Sequence, residues 1–365
     1  MENYKHAVES CIDCKKCWDV CPVTKVIGNE YTPQSKIELL SKIESGEELS
    51  EKEFDDIYLS SRCGACNEVC PVDIPIKEII QYERSLLAEQ GREPDKTTYI
   101  VQSILQHNNP GGKDDSKRFD WVSDDLQIAE HSEIGYMVGC WIAHARPEIA
   151  RATIRVLNAA GIEPMLMDKE KCCGLFLVDN GHFEQIKKHA KEYIDYIESL
   201  GIKKLIVSCP GCYRTINNSY PDFYREPEFD VVPAVTVFEE LLDEGKIVPE
   251  NKLNISAPLK DACHLRQMKD TPRKIFKQIG VETTEIFDDE IVCCGAPAGL
   301  KPNYPQTSAD IAMLSVNKSK ETSDLMLAYC PFCIYHISGV SENMDVNIQV
   351  KDISVLLDDA IKKSK

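Results

Sequence analysis

The sequence has no apolar run approaching the ~20 residues that a membrane-spanning helix needs. Its first residues, Met1-Glu2-Asn3-Tyr4-Lys5-His6, lack the apolar stretch of a signal peptide. A soluble cytoplasmic protein is therefore expected, one that reaches a membrane only through a partner subunit. No G-x-G-x-x-G follows a strand-like segment, so flavin and nicotinamide fingerprints are missing and any redox chemistry takes its electrons from another protein. A concentrated basic face is missing too. Lys and Arg number 42 against 60 Asp and Glu, a net charge of −18 spread along the chain. Nucleic-acid binding needs clustered positive charge to displace counterions, so no nucleic-acid partner is expected; a solvated acidic surface remains.

Against these absences stand seventeen cysteines. Structural disulfides are disfavoured in reducing compartments, and an odd count fits a fully paired framework poorly, so thiolates at regular spacing read as metal ligands. With 365 residues and 43% apolar content the chain can bury a real core. It is too long for one typical domain of roughly 100–200 residues, so two or three domains are expected.

The cysteines fall into two zones, seven before residue 71 and ten from residue 140 onward. Between them lie Gln90-Gly91-Arg92-Glu93-Pro94 and the polar loop Asn108 to Asp115, with a connecting helix expected over 96–107. The second zone repeats itself. Cys140 and Cys263 are 123 residues apart, Cys172-Cys173 and Cys293-Cys294 are 121 apart, and Cys209 and Cys330 are 121 apart. Each copy alternates strand and helix: strands at 134–139, 204–208, 259–262 and 325–329, helices at 147–160, 182–200 and 272–279. The strands run into Cys140, Cys209, Cys263 and Cys330. Ligands of open α/β sheets gather at such carboxyl ends.

In the first zone, Cys11-x2-Cys14-x2-Cys17-x3-Cys21-Pro22 is the complete bacterial ferredoxin run. Three closely spaced thiolates wrap one cluster, while the fourth, before Pro, serves a second. A zinc ribbon would show two separated pairs instead. The partner run is Ser60-x2-Cys63-x2-Cys66-x3-Cys70-Pro71, with Ser60 where a first cysteine would stand. By the crossover rule Cys11, Cys14, Cys17 and Cys70 hold one cluster, and Cys21, Cys63 and Cys66 hold another. The fourth corner of the second is open. It holds a 3Fe–4S cluster, a 4Fe–4S cluster with oxygen from Ser60, a poorer ligand for iron than thiolate, or a labile or vestigial site. A helix is expected between the runs, over Pro33–Glu44.

In the second zone the pattern is Cys140, Cys172-Cys173-Gly174, Cys209-x2-Cys212, then Cys263, Cys293-Cys294-Gly295, Cys330-x2-Cys333. Five thiolates exceed what one zinc or one ordinary cubane uses. Gly174 and Gly295 allow close backbone approach. The alternative at each repeat is an all-thiolate zinc site with a spare thiol. The pattern resembles the CCG domain, and a ferredoxin module followed by two complete CCG domains resembles the D-type subunit of the heterodisulfide reductase of methanogenesis. The resemblance covers nearly the whole chain, from Cys11 to Cys333.

It implies an α-helical ferredoxin-like domain (1–95), a linker (96–132), and a duplicated α/β CCG pair with pseudo-twofold symmetry (133–250 and 251–365). It further implies one non-cubane 4Fe–4S cluster on each five-cysteine set, with a coenzyme M–coenzyme B-type disulfide reduced between them. Two clusters flanking a disulfide would divide its two sulfurs and avoid a free radical. The expected partners are small-molecule thiols and an electron-donor subunit: a flavoprotein, a ferredoxin or a cytochrome b. His264 and His144 are candidates for proton delivery, and Lys171, Arg214 and Arg266 for attracting acidic groups of the substrate. The competing reading is an iron–sulfur electron-transfer subunit of a flavin-dependent glycolate, lactate or glycerol-3-phosphate dehydrogenase, as similar chains are.

Overall fold

Short helices, rather than strands, hold the cysteine loops of the first seventy residues. In the computed structural model, which describes residues 4–287, 290 and 292–361, Thr32 caps the helix Pro33–Glu38 by accepting from the Ser35 N–H at 2.9 Å. Ser50 and Glu53 close a capping box on the helix Glu51–Tyr58. The single helix expected over Pro33–Glu44 forms as two, Pro33–Glu38 and Leu40–Glu44. They meet at Leu39, whose N–H bonds the carbonyl of Lys36 with the tighter three-residue spacing. Ile37, Leu40, Ile74, Ile76, Ile79 and Ile80 form the core between these helices and the long helix Ile76–Glu89.

Each half of the second zone builds a four-stranded parallel sheet. Strands β1 (Ile134–Met137), β2 (Met165–Leu166), β3 (Lys204–Val207) and β4 (Asp230–Pro233) lie in the order β2-β1-β3-β4. Strands β5 (Ile255–Lys260), β6 (Val281–Glu285), β7 (Leu325–Ala328) and β8 (Gln349–Asp352) repeat it as β6-β5-β7-β8. The central strands β1, β3, β5 and β7 are those whose apolar runs the sequence exposes. The outer four carry little such signal: β2 has two residues, β4 ends in a proline, and β6 and β8 are rich in polar residues. Edge strands tolerate both features.

One apolar core runs through both halves. Ile149, Val156 and Leu157 of the helix Pro147–Ala159 join Leu356, Leu357 and Ala360 of the helix Ile353–Ile361, with Phe238, Phe276 and Ile279. Burying such a side chain fully contributes about 1.5–3 kcal/mol. The segment after the N-terminal module forms the expected helix, Asp95–His107. Its later part packs Trp121 and Leu126 into the same core.

Arg84 ties the N-terminal module to both sheets. Its fully buried guanidinium donates to the carbonyls of Ile57, Tyr58 and Ser60, to those of Asp179 and Ala298, and to Asn180 Oδ1. Burying a polar acceptor without a partner costs about 1–3 kcal/mol, and the Arg84 fork meets that need for several carbonyls at once. Among the described residues no helix is long and apolar enough to cross a membrane.

Candidate functional site

The two ferredoxin-type loops share one backbone device. Asp13 (φ 52°) and Lys15 (φ 61°) flank Cys14, and Arg62 (φ 50°) and Gly64 (φ 85°) flank Cys63. Left-handed non-glycine residues cost about 1–2 kcal/mol each, but alternating them curls successive N–H groups into a concavity suited to an anionic group. Cys11, Cys14, Cys17 and Cys70 line one cavity. Cys21, Cys63 and Cys66 line another, together with Ser60. Each cavity thus gathers thiols from both runs. Ser60 Oγ accepts from the Arg62 N–H at 3.2 Å, and the Ser60 carbonyl is held by Arg84 at 3.0 Å. Burial, then neighbouring Cys11 and Cys14, pushes the Cys17 thiol up to about 12. Sulfurs packed this closely ionise together only around cations, and a soft all-thiolate set suits iron.

Four of the ten later cysteines closely follow the ends of the central parallel strands. Cys140 opens the helix Cys140–Ala145 after β1, and Cys263 follows β5. Cys209 and Cys330 stand before Pro210 and Pro331, the first residues of the helices Pro210–Arg214 and Pro331–Asn343. The two Cys-Cys-Gly turns need their glycines. Gly174 has φ 78° and Gly295 φ 86°. A Cβ would meet Ile186 Cδ1 at 2.7 Å in the first and the Ser308 carbonyl oxygen at 2.5 Å in the second.

One cavity of about 410 Å³ lies between the two halves. Cys140, Cys172, Cys173, Cys209 and Cys212 line it from one half; Cys263, Cys294, Cys330 and Cys333 line it from the other. Cys293 alone does not line it and bonds Cys263, Cys294 and Cys63 instead. Within each set the sulfurs form a string, with Cys140 Sγ 3.8 Å from Cys172 Sγ. Hydrogen bonds from Cys140 and Cys173 pull Cys172 well below the usual thiol range, while Cys140, Cys173 and Cys212 are pushed well above it. Among the described residues no three His, Cys, Asp or Glu side chains converge as one metal ion would require. Sulfurs strung around a volume fit a multinuclear iron–sulfur group, which spreads its ligands over several metal atoms.

The rest of the wall is largely apolar, and Trp141 stacks on Phe332 across the two halves at 4.6 Å. Among the described residues four titratable side chains other than cysteine line it: Asp179, His264, Lys301 and His336. Asp179 is paired with Arg62 at 3.0 Å and Arg214 at 3.8 Å. His264 Nε2 accepts from Arg214 at 3.0 Å; burial, then Arg214, holds it well below the usual imidazole range, hence neutral. Lys301 is the one Lys or Arg among them. Its Nζ lies 3.4 Å from His336 Nδ1 and 5.2 Å from the Tyr335 ring centre. His336 Nε2 faces the Ser308 carbonyl at 3.2 Å, so the ring presents Nδ1 as the acceptor for the ammonium.

Of the basic and imidazole candidates, only His264 reaches the cavity itself. Arg214 stands behind it. Lys171 pairs with Glu192 at 3.2 Å and Arg266 with Glu68 at 2.9 Å, and His144 lies outside the cavity wall. Sequence reasoning missed Lys301, His336 and Trp141, which carry no spacing signal. It also missed Glu170, whose buried carboxylate takes the N–H groups of Val138 and Gly139 at 2.8 and 2.9 Å and so fixes the loop presenting Cys140.

Residues 7–74 match the 4Fe-4S dicluster domain profile, and residues 134–217 and 259–338 each match that of the cysteine-rich CCG domain. The chain is 30% identical over 386 aligned residues to the D-type subunit of the dihydromethanophenazine:CoB–CoM heterodisulfide reductase of Methanosarcina acetivorans, covering 97% of this chain and 94% of that protein. It is 23% identical to the EtfAB:quinone oxidoreductase of Syntrophomonas wolfei, covering 96% of this chain and 58% of the relative. A crystal structure of a hypothetical protein from Helicobacter pylori shares the fold, with a TM-score of 0.65, 10% identity, and coverage of 100% of this chain and 74% of that one.

Proposed function

The chain belongs to the family of D-type heterodisulfide reductase subunits, which are iron–sulfur oxidoreductase subunits, and from that membership we propose that it reduces a disulfide of the coenzyme M–coenzyme B type. The observation that carries the proposal is the shared cavity, with nine of the ten later cysteines on its wall. Residues 133–250 and 251–365 act as the two reaction halves, 96–132 as the joint, and 1–95 as the electron relay fed by a partner subunit. Non-cubane clusters on the two pentads, when bound, supply electrons singly and soft metal sites for sulfur. A disulfide needs two electrons, and paired one-electron centres match that count.

The residues around the cavity do the rest. Apolar walls exclude water from the sulfurs. Lys301 holds an acidic end group of the substrate, and neutral His336 orients it. His264, adjacent to Cys263, is within reach of a departing thiolate on the second side.

The test is EPR of the anaerobically reconstituted full chain, oxidised with and without 2-mercaptoethanesulfonate, alongside viologen-linked disulfide reduction. A new paramagnetic signal that requires the thiol, with turnover, is expected. Absence of both would remove the disulfide reading.

A second reading has its own support in the similarity to the quinone oxidoreductase of S. wolfei. In it the chain passes electrons from a flavoprotein toward quinone and meets no disulfide. Rapid oxidation of the reduced chain by a quinone, unaffected by thiols, would favour it.

A further inference from the structure

The two halves differ at one buried position. Strand β5 ends on Lys260, three residues before Cys263, and β1 ends on Met137, three residues before Cys140. The two hold the same place in their sheets. Met137 pairs with Val207 and Lys260 with Ala328, each partner standing two residues before the cysteine that opens the next helix. Both are buried, Met137 to 1% exposure and Lys260 to 3%. Met137 packs in the apolar cluster that contains Cys140, Cys172, Cys173 and Cys212. Lys260 puts an ammonium in the equivalent place beside the other pentad.

That ammonium has no carboxylate partner among the described residues. Its Nζ donates to the carbonyls of Val292 at 2.5 Å and Asp261 at 3.1 Å. The Asp261 carboxylate is engaged by Arg273 at 2.7 Å and Tyr329 at 2.8 Å. Burial works against the charge on Lys260, but Cys333, Cys294, Cys263 and Cys293 outweigh it and keep the group cationic. Near the first pentad the comparable cation is Arg118, and it is neutralised by Glu170 at 2.9 Å and Asp115 at 2.7 Å. Among the described residues one pentad therefore faces a compensated pair, and the other a buried charge held by backbone carbonyls.

We propose that Lys260 sets the two pentads apart electrostatically, making the second the more easily reduced and hence the first to receive an electron from the N-terminal module. The inference rests on both pentads holding redox-active iron–sulfur groups. Reduction adds one negative charge, and a fixed cation in a low-dielectric surrounding stabilises the reduced form. The route agrees with the bias: Cys63 bonds Cys293, a member of the same pentad. One electron leaves the group held by Cys21, Cys63 and Cys66, which is oxidised; one enters the group held by the second pentad, which is reduced; no bond forms or breaks.

The test is a potentiometric titration of the reconstituted full chain followed by EPR, in wild type, Lys260→Met, Lys260→Gln and Lys260→Arg. Methionine is what the first half carries, glutamine keeps donors for the two carbonyls without charge, and arginine keeps the charge. The pentad signals of wild type are expected to titrate in two steps. In both neutral variants the higher step should fall by at least tenfold in the one-electron equilibrium, about 59 mV, with iron content unchanged, while Lys260→Arg retains it. An unmoved step in a fully loaded neutral variant overturns the proposal, as does a single step in wild type. If neither neutral variant loads iron in the second pentad while Lys260→Arg does, Lys260 serves assembly rather than potential, and the proposal falls. Pentads that hold zinc rather than iron in wild type would overturn the cluster reading itself and this inference with it.

Discussion

The Cys63 thiol is hydrogen-bonded to that of Cys293, so a residue of the N-terminal module touches a residue of the second pentad. The bond pulls Cys63 down to about 6, while Cys263, then Cys294 and Cys63, push Cys293 well above the usual thiol range. Across the cavity, Cys330 of the second pentad is an electrostatic neighbour of Cys209 of the first. Sulfur-to-sulfur proximity therefore runs from the module through the second half toward the first.

Ser60 lines the same cavity as Cys21, Cys63 and Cys66, and its hydroxyl already accepts an N–H from Arg62. Ser60→Cys is expected to supply the missing thiolate and convert that site to an all-thiolate 4Fe–4S cluster that survives air longer. Mössbauer spectra of wild type and variant check this. Identical spectra would mean that position 60 contributes no ligand in either form.

Gly295→Ala should damage the protein more than Gly174→Ala. Both place a Cβ at positive φ, at about 1–2 kcal/mol. At 174 the clash is with the terminal carbon of Ile186, which can swing away; at 295 it is with the backbone carbonyl of Ser308, which moves only with its helix. Iron content and thermal midpoints are the measurements. Gly174→Ala should keep its iron, Gly295→Ala should lose it from the second half, and equal losses would refute the distinction.

Lys301→Met should raise KM for an acidic disulfide roughly tenfold to hundredfold, the worth of one charge-assisted hydrogen bond, with kcat little changed. Lys301→Arg should recover most of the affinity. A neutral disulfide should be insensitive to either change, and a parallel loss with the neutral substrate would mark Lys301 as a packing residue.

Asp352 is fully buried and caps the last helix, accepting from the Ser354 N–H at 2.8 Å; burial pushes its carboxyl from 3.8 up to about 6. The folded state therefore holds this proton more tightly than the unfolded chain. Stability from this group is complete below about pH 4, is lost as pH rises through 6, and stays lost above. Asp352→Asn keeps an oxygen acceptor without the charge. It should stabilise the protein by about 3 kcal/mol at pH 7 and by little at pH 4. Denaturant titrations at the two pH values measure the difference, and an equal effect at both would exclude ionisation as the cause.

Much of the site was legible in the sequence because metal-ligand chemistry is local. Spacings of two and three residues around Cys11–Cys21 and Cys63–Cys70 fix tight loops, and a repeat of 121–123 residues with a glycine after each cysteine pair marks the duplicated turns. The central strands announced themselves because apolar runs end at Cys140, Cys209 and Cys330. Edge strands such as Asp230–Pro233 did not, since half-exposed short strands need no apolar pattern. Charge partners were illegible for a different reason. Lys171, Arg266, Lys260 and Lys301 are all simply cations in the sequence, yet two are neutralised by Glu192 and Glu68, one is buried against thiols, and one lines the cavity. Which cation is paired depends on side chains tens to hundreds of residues away in the chain, and only the packing of the two halves against each other and against the N-terminal module decides it.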